Sequence, residues 1–354
     1  MISLLELTLP ELTRFCTEEL GQSAYRARQI WQWIWRKRAR SFAEMSDLSL
    51  ALRERLAAVA ALDRPSVAAR EESRDGTVKF LLRLADGEQV ETVLIPSFSQ
   101  DGRPRLTLCL SCQVGCAMGC TFCGTGAMGF SRNMSCGEIL SQVLLARDFL
   151  GDSPHRPLLR NLVFMGMGEP LLNLTQVLRS LEILNSDSGL AFSHRRITVS
   201  TCGLPQGLEE LGASGRAYLA VSLHAPSQEL RAALMPRAAA WPLADLLQAL
   251  RSYPLKARER LTFAYLLLGG VNDTPEHARS LARILTPLRG KLNLIVYNQV
   301  PGSAYRAPLP EDVLAFEEIL WGSKITTVLR KSMGADISAA CGQLRARLAA
   351  AAKM

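Results

Sequence analysis

Between Leu106 and Leu329 the chain alternates short apolar runs with amphipathic helical stretches, and that alternation limits the fold more than any other feature. The runs are Leu106–Leu110, Leu162–Met165, Ile197–Ser200, Tyr218–Leu223, Leu261–Leu267, Leu292–Tyr297 and Ile325–Leu329. Helical patterns lie between them, as at Glu276–Leu288 and Glu311–Trp321. Ser135 opens another, with Glu138 three residues later as a capping box and Ile139, Leu140, Val143 and Leu144 as one buried face. Repeated strand–helix units predict an α/β fold with a parallel sheet. Six or seven such units predict a barrel, complete or open, with its chemistry at the carboxyl ends of the strands.

The first 105 residues differ in character. LPELTRFCTEEL and YRARQIWQWIWRK read as amphipathic helices, with Trp31, Trp33 and Trp35 set among Arg and Lys. Two readings fit: a small helical bundle with a solvated basic face, and an RNA-facing accessory domain. Residues 66–96 then carry Asp75-Gly76 and Asp86-Gly87 turns between alternating apolar runs, which predicts a small antiparallel meander. The meander contains Glu91.

Lys and Arg number 41 against 33 Asp and Glu, a net charge of +8 that suits a polyanionic partner, although an Arg-rich composition gives the same excess. No run of 18 uncharged apolar residues reads as a membrane span. The start, MISLLELTLPELTRF, lacks a basic leader and carries acids, so it is not read as a secretory signal.

Nine cysteines in such a chain point to a reducing compartment and to metal binding or catalysis rather than structural disulfides. Six of them, Cys109, Cys112, Cys116, Cys120, Cys123 and Cys136, crowd one segment, while Cys16, Cys202 and Cys341 stand apart. Cys116, Cys120 and Cys123 form C-x₃-C-x₂-C just after the first strand of the α/β region. Three close thiolates can hold a [4Fe–4S] cluster and leave one iron open, free to chelate the amino and carboxylate groups of S-adenosylmethionine (SAM). Cys112 extends the pattern to a fourth thiol, which would suit a closed zinc or four-thiolate site. MGMGEP, Met165–Pro170, follows the second strand: its glycines allow close backbone approach, and Glu169 can accept from an ammonium group.

TLCLSCQVGCAMGCTFCGTGAMGFSRN, VFMGMGEPLLNL, RRITVSTCG, AVSLHAP, LIVYNQVPG and DISAACGQL, in that order, resemble the RlmN family of dual-specificity RNA adenine methyltransferases, as do YRARQIWQWIW and VETVLIP. The sister family Cfr shares most of these motifs. The resemblance implies a partial (β/α)6-type radical SAM barrel with an N-terminal helical domain and a small antiparallel β meander. It divides the chain into residues 1–60 (RNA-facing helices), 61–101 (meander linker), 102–336 (radical SAM core) and 337–354 (a C-terminal segment carrying the methyl-accepting cysteine).

By the same resemblance, Cys341 takes a methyl group from one SAM, and a second SAM supplies the 5′-deoxyadenosyl radical that removes hydrogen from the S-methyl group. The methylene radical then adds to an adenine ring carbon, an electrophilic position that ordinary methyl attack does not reach, and gives a protein–RNA adduct. Cys109 matches the family's second cysteine, which resolves the adduct by forming a transient disulfide with Cys341. Glu91 matches a position assigned as proton acceptor, so Cys109 and Glu91 both stand as the base. Gly168, Glu169, Ser200, Ser222, Leu223, His224 and Asn298 match SAM-binding positions, and all fall at strand carboxyl ends.

The implied substrates are a peptidyl-transferase-centre adenosine of 23S rRNA and the adenosine beside the anticodon of certain tRNAs. The methyl goes to carbon 2 in RlmN and to carbon 8 in Cfr. The target base has to leave its stack to reach a buried cluster. An electron donor such as flavodoxin or ferredoxin, action as a monomer and a cytoplasmic setting complete the implied picture. Two departures stand out: Cys112 replaces the family's usual serine, and YNQVPG varies from the aromatic-rich form usual there. A rival from another class is a non-catalytic RNA-binding protein with a structural metal site.

Overall fold

A computed structural model describes residues 1–98, 104–151, 158–300 and 302–344. The domain boundary at 101–102 and the Ala-rich tail after residue 344 lie outside them. Ten strands form one sheet: β1 (Ser66–Glu72), β2 (Val78–Arg83), β3 (Gln89–Phe98), β4 (Pro104–Cys109), β5 (Leu159–Phe164), β6 (Ile197–Thr201), β7 (Tyr218–Ser222), β8 (Leu261–Leu267), β9 (Gly290–Val296) and β10 (Thr327–Arg330). Their order in the sheet is their order in the chain, from β1 at one edge to β10 at the other, so the described sheet is open.

The first four strands pair antiparallel and the remainder parallel. The connections explain the change. Asp75-Gly76 and Asp86-Gly87 close the two hairpins, with Gly76 at φ 84° and Gly87 at φ 87°, a backbone region that favours glycine. Parallel neighbours need crossovers, supplied here by α4 (Cys136–Phe149), α5 (Leu174–Asn185), α6 (Pro205–Ser214), α7 and α8 (Gln228–Leu234 and Leu243–Arg251), α9 (Pro275–Leu285) and α10 (Pro310–Gly322). The meander is therefore continuous with the parallel sheet.

The Ser135 capping box forms as the spacing predicts: Glu138 N–H donates to Ser135 Oγ at 3.2 Å, and Ser135 N–H to Glu138 Oε2 at 2.9 Å. Ile139, Leu140, Val143 and Leu144 are fully buried, each contributing on the order of 1.5–3 kcal/mol. The last strand starts two residues later than its apolar pattern. Ile325 N–H is taken by the Leu320 carbonyl at the end of α10, so strand pairing is delayed to Thr327.

Three helices, α1 (Leu9–Arg14), α2 (Ala24–Trp35) and α3 (Leu50–Val59), make up most of the N-terminal region. Trp31 and Trp35 are core residues that meet edge to face at 5.7 Å, whereas Trp33 is half-buried with Lys37 Nζ over its ring at 3.6 Å. Charge pairs join these helices to the α/β layer. Asp148 of α4 receives Arg38, Arg40 and Arg64 at 2.8, 2.9 and 3.1 Å, and Arg179 of α5 makes a two-pronged contact with Glu11 at 2.7 and 2.6 Å.

The Arg179 hydrogen bonds hold the Glu11 carboxyl down to about 2, below the usual 4.5. Its stabilisation is present above pH 4.5 and is lost as pH falls toward 2, because the unfolded chain takes up the proton first. Chemical denaturation over that window should show a shallower acid loss in Glu11→Gln than in the parent; equal slopes would remove Glu11 from the account.

A candidate active site at the strand carboxyl ends

The segment after β4 folds into a short hairpin, Gln113–Gly115 against Phe130–Asn133, that frames the three-cysteine loop. Gly115 sits at φ 74° and a side chain there would overlap the Gly129 carbonyl oxygen, so only glycine lets the two strands close. Cys116 N–H donates to that carbonyl at 2.8 Å and Cys123 N–H to the Cys120 carbonyl at 3.1 Å. Cys116, Cys120 and Cys123 all remain partly accessible.

Burial pushes the Cys116 thiol up to about 12 and raises Cys123, and neighbouring thiols add to both shifts. Such thiols shed their protons to a bound metal cation. The donor set suits a cubane cluster: three thiols on one loop, open on one side. Among the described residues no three His, Cys, Asp or Glu side chains are placed to hold a single ion, and thiolates of a cubane bind different irons rather than converging on one. Cys112 is buried beneath this loop, within electrostatic reach of Cys116 and Glu169, with its carbonyl fixed by Asn173 Nδ2 at 2.7 Å.

The SAM-type residues converge from successive strand ends. Gly168, at φ 108°, lies so close to Gln113 that a Cβ would come within 2.6 Å of its side chain and 2.8 Å of its nitrogen. Gly168→Ala should therefore displace the Gln113 strand and weaken SAM binding at least tenfold in equilibrium titration; unchanged affinity would show that this close approach does not matter. Glu169 is buried. Its Oε1 accepts from Leu171 N–H at 3.0 Å and Oε2 from Cys202 N–H at 2.8 Å. Each carboxylate oxygen keeps a second lone pair for a ligand. Burial raises the Glu169 pKa, and the Cys202 N–H opposes that shift.

Ser200 and Ser222, at the ends of β6 and β7, stand with hydroxyls 3.4 Å apart. Leu223 is fully buried and its N–H donates to the Ala264 carbonyl at 3.0 Å. His224 takes a left-handed backbone, φ 53°, uncommon for a residue with a side chain. Its Nδ1 accepts from Leu266 N–H at 3.0 Å and its ring meets Phe122 of the cysteine loop edge to face at 5.1 Å. Burial, helped by the Arg231 charge, holds its pKa down to about 3, so the ring is neutral. Asn298, half-exposed, follows β9.

The C-terminal segment is laid across this mouth by contacts from both sides. Asp336 accepts from Ser73 Oγ at 2.6 Å and Asp75 from Gly334 N–H at 2.8 Å. On the other side, the Gly342 carbonyl receives Gly124 N–H, next to Cys123, at 2.6 Å, and Gln343 Nε2 donates to the Gln299 carbonyl at 2.7 Å. These bonds hold the solvent-reached Cys341 beside the cysteine loop. Desolvation raises its thiol pKa, and Arg330 works against that shift. The buried Cys109 thiol lies within electrostatic reach of Cys341, and its own pKa is driven upward, chiefly by burial.

Glu91 is fully buried, 3.4 Å from Lys79 Nζ. Register puts Lys79 opposite Val93 and Val93 opposite Cys109, so Lys79, Glu91 and Cys109 share one face of the sheet. Lys79 also donates to the Ile337 carbonyl at 2.8 Å, tying that face to the segment bearing Cys341.

Four neighbours of the site are not among the residues that the sequence singles out. Lys79 is one, and Asn272 is another: its side-chain amide donates to the His224 carbonyl at 2.9 Å and fixes the left-handed turn. Cys202 does not stand apart as its sequence position suggests; its thiol meets that of Cys120. Arg231 of α7 is buried against the Cys202 carbonyl at 2.7 Å. Only tertiary contact reveals these last three, although the run VSTCG carries Cys202 off the end of β6.

An open parallel sheet with a three-cysteine loop after its first parallel strand and ligand groups at the following strand ends defines a radical SAM enzyme. Residues 110–282 match the radical SAM superfamily, and residues 2–62 match the ribosomal RNA large subunit methyltransferase N-terminal domain. Its cofactors are accordingly a [4Fe–4S] cluster and SAM. The chain is 64% identical over 347 residues to the dual-specificity RNA methyltransferase RlmN of Nitratidesulfovibrio vulgaris strain DP4, covering 98% of this chain and 95% of that one. It is 54% identical over 346 residues to the RlmN of Lawsonia intracellularis, covering 98% and 97%. A crystal structure of a radical SAM methyltransferase from Sphaerobacter thermophilus superposes with a TM-score of 0.90 at 42% identity, covering 98% of this chain and all of that one. The chain belongs to the RlmN family.

Proposed function

We propose that this chain methylates carbon 2 of adenosine in 23S rRNA, at the peptidyl transferase centre, and in tRNA beside the anticodon. Cys341 is the methyl carrier. The observation that carries this reading is the clamp on the C-terminal segment, which sets Cys341 against the cysteine loop and within electrostatic reach of Cys109. The relatives' shared description as dual-specificity RNA methyltransferases supports both RNA substrates, and their RlmN name supports carbon 2 over the Cfr-type carbon 8. A non-catalytic RNA-binding role leaves the Cys109–Cys341 arrangement without a purpose.

The chemistry that a bound, reduced cluster would supply is cleavage of SAM to a 5′-deoxyadenosyl radical. Cys116, Cys120 and Cys123 hold the cluster. Gly168, Glu169, Ser200, Ser222, Leu223, His224 and Asn298 bind SAM, with Glu169 accepting from the methionine ammonium group. Cys341 Sγ bears the methyl and then the methylene link to adenine. Once the adduct has lost its ring proton and its unpaired electron, which the oxidised cluster would accept, Cys109, as thiolate, attacks that sulfur: the disulfide bond forms, the carbon–sulfur bond breaks, and the released carbon takes up a proton as the methyl group of the product. Removing the ring proton falls to Cys109 or to Glu91, which is buried 3.4 Å from Lys79 Nζ. External thiol reductants restore both cysteines.

Residues 1–60 then act as the RNA-facing domain, 61–101 as the meander linker, 102–336 as the catalytic core and 337–354 as the carrier segment. No described helix is long and apolar enough to cross a membrane. A flavodoxin- or ferredoxin-type donor, a monomeric state and a cytoplasmic setting belong to the same proposal. Mass mapping of adenosine after reaction with rRNA and tRNA tests it: 2-methyladenosine is expected in both, and an 8-methyl product would reject the carbon-2 assignment.

A further inference from the structure

Arg231 is a charge without an adequate partner. It lies on α7, whose end is pinned to the cysteine loop: Thr121 N–H donates to the Leu234 carbonyl at 3.0 Å. Its side chain is fully buried, and Nη2 donates to the Cys202 carbonyl at 2.7 Å. Nε and Nη1 have no hydrogen-bond partner among the described residues. A buried guanidinium keeps its charge, so it needs a compensating anion close by.

The groups within its electrostatic reach are Cys202, Cys120 and Glu169, with neutral His224 beyond. Glu169 is not its counter-ion: among the described residues no hydrogen bond joins the two, and each Glu169 oxygen already accepts a backbone N–H and keeps its other lone pair for a ligand. The Cys202 peptide nonetheless couples the two, donating to Glu169 and accepting from Arg231. Cys202 and Cys120, whose thiols meet, are left, and of the two Cys120 is the one read as a cluster ligand. Three thiolates give the oxidised cluster net negative charge, and the electron that reduces it adds another. A dehydrated cation within electrostatic reach favours the reduced state, since the low-dielectric surroundings do not screen it.

We propose that Arg231 is the fixed counter-charge of the cluster and sets how readily the cluster accepts its electron. The assignment rests on Cys116, Cys120 and Cys123 being the cluster ligands. It makes Arg231 a positioning and tuning residue, held in place by the Cys202 carbonyl, and not a group that touches RNA.

The test is a reductive titration of reconstituted holoenzyme without SAM, followed by the electron paramagnetic resonance signal of the reduced cluster. Loss of that signal in Cys120→Ala secures the ligand assignment first; a signal that persists there overturns the ligand assignment and the proposal with it, whereas the arginine variants bear on the proposal alone. Arg231→Gln can still donate to the Cys202 carbonyl but lacks the charge. At a fixed potential its reduced-to-oxidised ratio should fall about tenfold, a shift of ~59 mV to more negative potential for one electron. Arg231→Lys should shift less, in the same direction. An Arg231→Gln midpoint equal to the parent's, with weakened SAM binding, would overturn the proposal and make Arg231 a clamp for the methionine carboxylate. If Arg231→Gln does not fold, Arg231→Met, uncharged and of similar length, decides: a midpoint equal to the parent's overturns the proposal.

Discussion

Cys341→Ala should abolish methylation of both RNAs while the cluster assembles and SAM still perturbs it. A nucleophile that forms the covalent intermediate is not replaced by binding alone, so the loss should be on the order of 10³-fold or more. Cys341 is exposed, and the hydrogen bonds that hold its segment come from the backbone of Gly342 and the side chains of Asp336 and Gln343, none of which the substitution removes. Stability should therefore stay within about 0.5 kcal/mol of the parent. The check is incorporation of labelled methyl from SAM into RNA, alongside iron content. Residual methylation near the parent rate would show that the methyl does not travel through Cys341.

Cys109→Ala should give the opposite phenotype, an enzyme that starts and cannot finish. Cys109 sits at the end of β4, buried and electrostatically coupled to Cys341. Without its sulfur the methylene link from Cys341 to adenine has no thiolate to displace it, and protein cross-linked to RNA should accumulate to near stoichiometry with enzyme. Its high thiol pKa has a further consequence. Most of the population is protonated at neutral pH, so release should quicken as pH rises until another step limits the rate. Denaturing electrophoresis of enzyme with labelled RNA reads the adduct directly. If turnover simply stops with no cross-linked species, Cys109 acts before the adduct forms.

How far the sequence carried depended on whether a feature is local. The seven parallel strands are legible because each is an apolar run broken by turn residues, and the α4 start is legible because Ser135 and Glu138 satisfy one another within four residues. The open edge of the sheet is not legible, since no residue pattern says whether β10 returns to β1. The site divided in the same way. Three thiols within eight residues announce themselves, and Gly168 does so through its motif. Cys202, Arg231 and Lys79 do not: the first reads as an isolated cysteine, the second as an ordinary helical arginine in QELRAAL, the third as a strand residue in VKFLLR. Each acquires its meaning from an element far away in the chain, Lys79 from Ile337 some 258 residues on. Cys341 was found through family motifs, because an exposed lone cysteine carries no physical signal of its own.

The account depends on one iron of the cluster lacking a protein ligand, and two further thiols, Cys112 and Cys202, lie close enough to the loop to make that a real question. Mössbauer spectroscopy of ⁵⁷Fe-loaded holoenzyme, with and without SAM, addresses it most directly. One iron site distinct from the other three and displaced when SAM is added is the predicted result. Four equivalent thiolate-bound sites that ignore SAM would contradict it.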